Sequence, residues 1–264
     1  VKNVHELLRR RASVRAFSDQ AVEEEKRNSI LEAAHRAPTA GNLSAYSIIE
    51  VREQEKKNRL AVTCDNQPFI ARSPLVLLFL ADYQKIYDLF RSSGVEEREN
   101  EEGGELRSPG PGELMLSFSD ALIAAQNAVV AAEDLGLGSC YIGDILEHYE
   151  EHRELFSLPG YAFPATLLCI GYPKGSYPPE NPTPRCDIST LHFTDEYRRL
   201  SGEELRHMYD PVIEGRFPGG KLPEGTDSMG EYIYRKKYNS EFLREMERSL
   251  IEAMRPWLKR WNAE

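Results

Sequence analysis

Over residues 113–135 the chain carries a run in which Met115, Leu116, Phe118, Leu122, Ile123, Ala124, Ala125, Val129 and Val130 cover most of the circumference of an α-helix. A helix that is apolar on almost every side cannot lie on a wet surface, so other parts of the molecule must enclose it. The run is therefore read as a helix buried almost all round, ended by Gly136 and Gly138. Helices and strands alternate around it. Val4 to Arg10 forms a short helix. Ser18 and Asp19 can cap a second, in which Ile30, Leu31, Ala34 and Ala37 keep helical spacing until Pro38. Residues 47–51, 74–81, 139–142 and 165–171 read as strands. The second of these contains Leu-Val-Leu-Leu-Phe-Leu, the continuous apolar pattern of a strand covered on both faces. A proline-rich excursion over residues 173–184 and helices separated by a Pro/Gly loop at 217–225 complete the chain, without an internal repeat.

The 264 residues suffice for a full core without disulfide or metal staples. A formal net charge of −10 argues against nucleic acid as a partner, because backbone binding depends on cations that neutralise phosphates. Cys64, Cys140, Cys169 and Cys186 show no C-x-x-C or zinc-like spacing, so reduced thiols in a cytoplasmic protein are expected. The first eleven residues are amphipathic and charged, with no apolar core of a secretory leader. The apolar run at residues 75–81 is too short to span a bilayer, so no membrane association is expected. Residues 92–112 are rich in Glu and Gly and cannot pack a core of their own, which leaves a flexible decoration or a lid.

Directly after the first helix comes Arg11-Ala12-Ser13-Val14-Arg15-Ala16-Phe17. In an extended segment alternate residues share a face, so Arg11, Ser13 and Arg15 can converge on one anion. Guanidinium forks hold phosphate oxygens through paired, charge-assisted hydrogen bonds, and a hydroxyl adds a neutral donor. Arg9 and Arg10 read instead as the solvated basic end of the helix, favourably placed against its dipole.

The R-x-S-x-R-x-F row, the later Ala37-Pro38-Thr39-Ala40-Gly41-Asn42 loop and the run from Ala124-Ala125-Gln126-Asn127 to Gly136-Leu137-Gly138 resemble the FMN-dependent nitroreductases, over roughly residues 4–185. Ala12 departs from the family's frequent second arginine, and Ser44-Ala45-Tyr46 from its common Gln-Pro-Trp. The resemblance implies an α+β fold: a central mixed β-sheet flanked by helices, with the long buried helix at a dimer interface. The competing reading of that helix is a central one inside a monomer. A single domain over residues 1–264 is expected, with the acidic insertion at about 92–112 and a helical C-terminal extension from about 195.

The resemblance further implies that FMN is bound by Arg11, Ala12, Ser13 and Arg15, by Thr39, Ala40, Gly41 and Asn42 from the partner subunit, by Gln67, and by Tyr141, Ile142, Gly143 and Asp144 after a strand. Arg185 would close the phosphate cradle. Gln67 can present donor and acceptor to the ring. Asp144 is out of place near a ring that becomes anionic on reduction, and a helix-capping role suits it better. The implied chemistry is two-step hydride transfer from NAD(P)H through flavin N5 to nitroaromatics, quinones or free flavin, with no side chain needed as catalyst. Alternatives are a relative using FMN for dehalogenation or flavin breakdown, or storing flavin. Arg216 and Lys221 are candidates for the 2′-phosphate of NADPH, or plain solubilising charges. Two motif matches belong to other classes. Gly136-Leu137-Gly138 follows a helix rather than a strand, the wrong context for a dinucleotide fingerprint. His148-Tyr149-Glu150-Glu151-His152 matches the H-x-x-E-H of zinc peptidases, but in a short, highly charged helix without a third ligand, so no metal is expected.

Overall fold

The computed structural model describes residues 3–181 and 183–261. The chain packs into two compact units, Val1–Pro178 with Glu245–Glu264, and Pro179–Arg244. The first contains α1 (Val4–Arg10), α2 (Glu24–His35), β1 (Tyr46–Glu50), α3 (Gln54–Thr63), α4 (Phe69–Arg72), β2 (Leu75–Asp82), α5 (Gln84–Ser92), α6 (Val95–Glu101), α7 (Pro111–Asp134), β3 (Gly138–Ile142), α8 (Tyr149–Leu155) and β4 (Ala162–Gly171). The strands form one sheet in the order β1-β2-β4-β3.

Alternation along β2 divides the core. Leu75, Leu77 and Phe79 face α2 and α7 together with Leu168 and Ile170, while Val76, Leu78 and Leu80 face α3 and α4 together with Leu167 and Cys169. The strand is thus covered on both faces, as its continuous apolar run requires. The sheet is not mixed. Every strand pair is antiparallel, because β4 lies between the co-directional β2 and β3. Among the described residues, parallel pairing is confined to one bridge, Ser13 to Ser139. Pro164 sits within β4 where a bulge opposite Phe79 and Leu80 relaxes the register and where β3 no longer pairs, so its missing N–H breaks no ladder.

Ser18 and Asp19 do not cap α2. Phe17 bridges Pro173 and the Ser18 N–H donates to the Tyr172 carbonyl at 2.8 Å, so this part of the chain is held to β4's end and the helix starts only at Glu24. α6 covers about a third of the acidic insertion, whose two ends belong to α5 and α7.

The long helix α7 is not buried all round within the chain. Small residues (Ala121, Ala124, Ala125, Ala128, Ala132) pack into the core, while Met115 and Leu116 are 65% and 55% exposed, and Leu122 and Ile123 are also open. By length and composition α7 could cross a bilayer, a property the sequence reading overlooked, but its inner face is committed to α2 and the sheet. Leu250, Ala253 and Met254, from the last turns of α12 (Glu241–Met254), and the following Trp257 join Phe163, Tyr149 and Leu114 in a further cluster.

The second unit holds α9 (Gly202–His207), α10 (Asp210–Arg216), α11 (Met229–Ile233) and a π-helical turn at Tyr234–Tyr238. Ser201 and Glu204 form a capping box at the start of α9, and Pro184 packs against Gly215. Pro182, in the proline-rich excursion, lies outside the described residues.

Candidate functional site

Residues 11–17 run extended beside β3. The Val14 N–H donates to the Ser139 carbonyl at 2.9 Å, and Val14 is buried over Gly138, where any β-carbon would come within 2.4 Å of the valine side chain. Val14 is turned inward, Ser13 and Arg15 on either side of it are exposed, and Arg11 is half-buried. Burial pushes the Cys140 thiol pKa up, while Arg15, the Ser13 hydroxyl and Arg11 all draw it back down. Nη1 of Arg11 and the hydroxyl of Ser139 are buried without a hydrogen-bond partner among the described residues. A buried guanidinium nitrogen left unpaired is costly, and an anion at this place would satisfy it. Arg11 also borders a cavity of about 420 Å³ shared with Leu7, Arg10, Glu133 and Tyr177.

Ala12 offers less than expected. The Tyr177 hydroxyl sits 3.3 Å from its nitrogen, 3.1 Å from its carbonyl oxygen and 2.7 Å from the Glu133 carboxylate, so its backbone is engaged inside the protein.

The Thr39, Ala40, Gly41, Asn42 loop is a 3₁₀ turn that needs positive φ at consecutive residues, 57° at Gly41 and 56° at Asn42, two residue types that tolerate it. The Thr39 hydroxyl accepts from the Ser44 N–H at 3.1 Å, and the Ala40 N–H donates to Asp120 Oδ1 at 2.9 Å. Asp120 is buried on α7 with Oδ2 unpartnered among the described residues. The sequence reading missed this anchor. Its mark in the sequence was a lone carboxylate inside the longest apolar helix.

Asp65 and Asn66 adopt left-handed backbone after α3, which turns Gln67 back toward Cys64. Gln67 Nε2 donates to the Cys64 carbonyl at 3.0 Å and to Asp144 Oδ2 at 2.8 Å. Asp144 therefore does not cap a helix. It lies within the 3₁₀ turn Gly143–Leu146, whose geometry leaves the carboxylate free to reach Gln67. The Ile142 side chain belongs to the core, so only its backbone can meet a ligand. Tyr141 donates to Gln126 Oε1 at 3.2 Å, and the space beside the Gly143 α-carbon is open.

In the second unit, Arg185 is exposed and donates to the carbonyls of Thr183 and Pro184. Arg216 ends α10 with its guanidinium 5.9 Å from the Phe217 ring, and the loop to the exposed Lys221 turns through positive φ at Gly219 and Gly220.

The zinc arrangement is absent. His148 is the left-handed residue before α8 and pairs with Glu245, Glu151 is bound to Arg59, and His152 is fully buried with both nitrogens engaged. Among the described residues no cluster of His, Cys, Asp and Glu could hold a metal ion.

The nitroreductase family model matches residues 8–172, which span the arginine row, the 39–42 loop and the 141–144 turn. The chain belongs to the nitroreductase family. It is 31% identical to an FMN reductase (NADPH) of Bacillus subtilis over 93% of this chain and 98% of that one. A Cr(VI) reductase of a Pseudomonas species is 30% identical over 91% and 96% respectively. The structure of NfrA1 nitroreductase from B. subtilis superposes with a TM-score of 0.78 at 27% identity, over 95% of this chain and 98% of that one. These relatives align well past residue 185, so the likeness extends beyond the 4–185 stretch into the C-terminal helices.

Proposed function

We propose that this nitroreductase is an FMN-dependent enzyme that carries hydride from NAD(P)H to nitroaromatics, quinones or free flavin, working as a homodimer in the cytoplasm. The observation that supports the reading is the buried Nη1 of Arg11, without a hydrogen-bond partner among the described residues, in the same segment beside β3 as Ser13 and Arg15. Its chemistry suits a phosphate monoester. Bound FMN supplies a ring atom that accepts and returns hydride. The residues of this chain bind and orient: Arg11 and Arg15 offset the phosphate charge, Ser13 adds a donor, and the small residues of the 39–42 loop allow close approach of a flat ring. Tyr141 and Gly143 border the same turn as Asp144. Nucleotide and oxidant use one place in succession, the ping-pong order expected when a single flat site serves both. The exposed apolar stripe on α7 supports the dimer, because it lies beside the loop that Asp120 holds and suits a second copy of itself. Three buried cysteines without disulfides, together with a reductant that belongs to the cytosol, support the location.

The test begins with the flavin absorbance of the purified protein, its bleaching by NADPH or NADH, and its return with a nitroaromatic. A flavin that stays oxidised under both nucleotides would favour flavin storage. Arg15→Ala should weaken FMN binding by about 1.5–3 kcal/mol, roughly ten- to a hundredfold, because it removes a charged hydrogen bond to phosphate. Arg9→Ala, in the exposed last turn of α1, should change it little. Equal losses in a fluorescence titration would remove the arginine row from the site.

A further inference from the structure

The family resemblance sets Gln67 beside the flavin ring, and the orientation of its amide is fixed from within the protein. A primary amide has two N–H donors and one oxygen. Both donors are taken, by the Cys64 carbonyl at 3.0 Å and by Asp144 Oδ2 at 2.8 Å. What remains for a ligand is Oε1, an acceptor. The pyrimidine edge of a flavin offers one donor, N3–H, between two carbonyl acceptors, so an amide held this way selects N3–H.

The group that fixes the amide also brings a charge. Hydride is two electrons and one proton, so when NAD(P)H becomes NAD(P)⁺ and the hydride enters the ring, the flavin gains one negative charge, shared over its N1–C2=O side. A carboxylate one amide away from the ring opposes the added charge and leaves the oxidised ring almost untouched. Asp144 is not isolated in this respect. Glu147 is buried, and the carboxylates of Asp144, Asp65 and Glu245 add to burial in raising its pKa to about 7. The field of these acids acts on neighbouring groups.

We propose that Asp144 is a positioning residue that sets the flavin potential: it holds the Gln67 amide so that only its oxygen faces the ring, and its charge keeps the two-electron potential low. The inference rests on the FMN reading above and goes beyond it. A lowered potential would make the reduced enzyme a stronger donor to electron-poor acceptors.

The experiment measures the midpoint potential of the FMN-loaded full chain by equilibration with a reference dye, alongside the dissociation constant of oxidised FMN. Asp144→Asn keeps an oxygen for Gln67 and removes the charge. It should raise the potential by about 30 mV, equivalent to a tenfold gain in affinity for reduced over oxidised flavin, with oxidised FMN binding within about threefold of wild type. Asp144→Ser, a second way of removing the charge, should shift it in the same direction. Asp65→Asn, which removes a neighbouring charge with no bond to Gln67, should shift it less. Unchanged potentials with flavin bound would overturn the proposal and leave the FMN reading intact. So would an equal shift from Asp65→Asn, or loss of flavin from both well-folded Asp144 variants. A wild type that binds no FMN would overturn both.

Discussion

Both ring nitrogens of His152 are engaged inside the fold, Nδ1 donating to the Ile145 carbonyl at 3.0 Å and Nε2 2.8 Å from the Thr63 hydroxyl, and burial holds its pKa down at about 4 against an ordinary 6.5. Above pH 6.5 the ring is neutral in folded and unfolded chains alike, and these bonds contribute in full. As pH falls toward 4 the unfolded chain takes up a proton that the folded one refuses, and stability drops by roughly 3 kcal/mol. Glu147 works in the opposite direction. Its folded pKa of about 7 lies above the ordinary 4.5, so the folded chain takes up the proton first and stability rises as pH falls through the same window. The two residues therefore mask each other between pH 7 and 5. Chemical denaturation across that range should show stability rising toward acid in His152→Gln and falling toward acid in Glu147→Gln, whatever the absolute cost of each substitution. Parallel slopes in the two variants would mean that neither group controls the response. The same histidine shows why a short motif is a weak guide. The spacing H-x-x-E-H was correct, but whether a nitrogen is free depends on partners at residues 63 and 145, which the motif does not contain.

Element by element, most strands and helices were legible because their apolar periods are long, whereas their starts were set by distant partners, as Tyr172 and Pro173 set the start of α2. The long helix α7 was legible as a helix but not as a half-covered one. Its residue types say only that every side is apolar. Residue size carried the finer message: alanines at 121, 124, 125, 128 and 132 let the sheet and α2 approach, and the bulky Met115, Leu116, Leu122 and Ile123 were left outside. These last four occupy one stripe of the helix at spacings of one, six and one. If a second copy covers that stripe, a charge placed in it must be buried unpaired. Leu116→Glu or Ile123→Glu should raise the dimer dissociation constant more than about a hundredfold, near 3 kcal/mol, with loss of bound flavin in step. Sedimentation at several protein concentrations reports the first, absorbance the second. A variant that remains a dimer with its flavin would place the subunit contact elsewhere.

For the whole molecule, charge is the property that most restricts which reductant it accepts. A chain of net charge −10 repels a dianionic phosphate unless cations are set out for it, and NADPH differs from NADH by that one group. The alternation of Arg11, Ser13 and Arg15 was readable in the sequence because spacing along an extended segment needs no tertiary information. Asp120, Tyr177 and the Gln67–Asp144 pair were not, because each joins segments dozens of residues apart. Arg216 and Lys221 fall between these cases, visible as residue types while nothing in the sequence fixes their role. Within the second unit Arg216 and Lys221 flank Phe217, Gly219 and Gly220, with positive φ at both glycines. We predict a preference for NADPH that depends on this pair. Arg216→Ala/Lys221→Ala should raise the KM for NADPH about tenfold or more and leave that for NADH unchanged, because only the former carries the 2′-phosphate. Lys236→Ala/Lys237→Ala, two exposed cations of the same unit, serves as the control and should leave the ratio of the two constants where it was. An equal loss for both nucleotides would assign the loop to the nicotinamide or to the second substrate, and a wild type indifferent to the two would end the prediction.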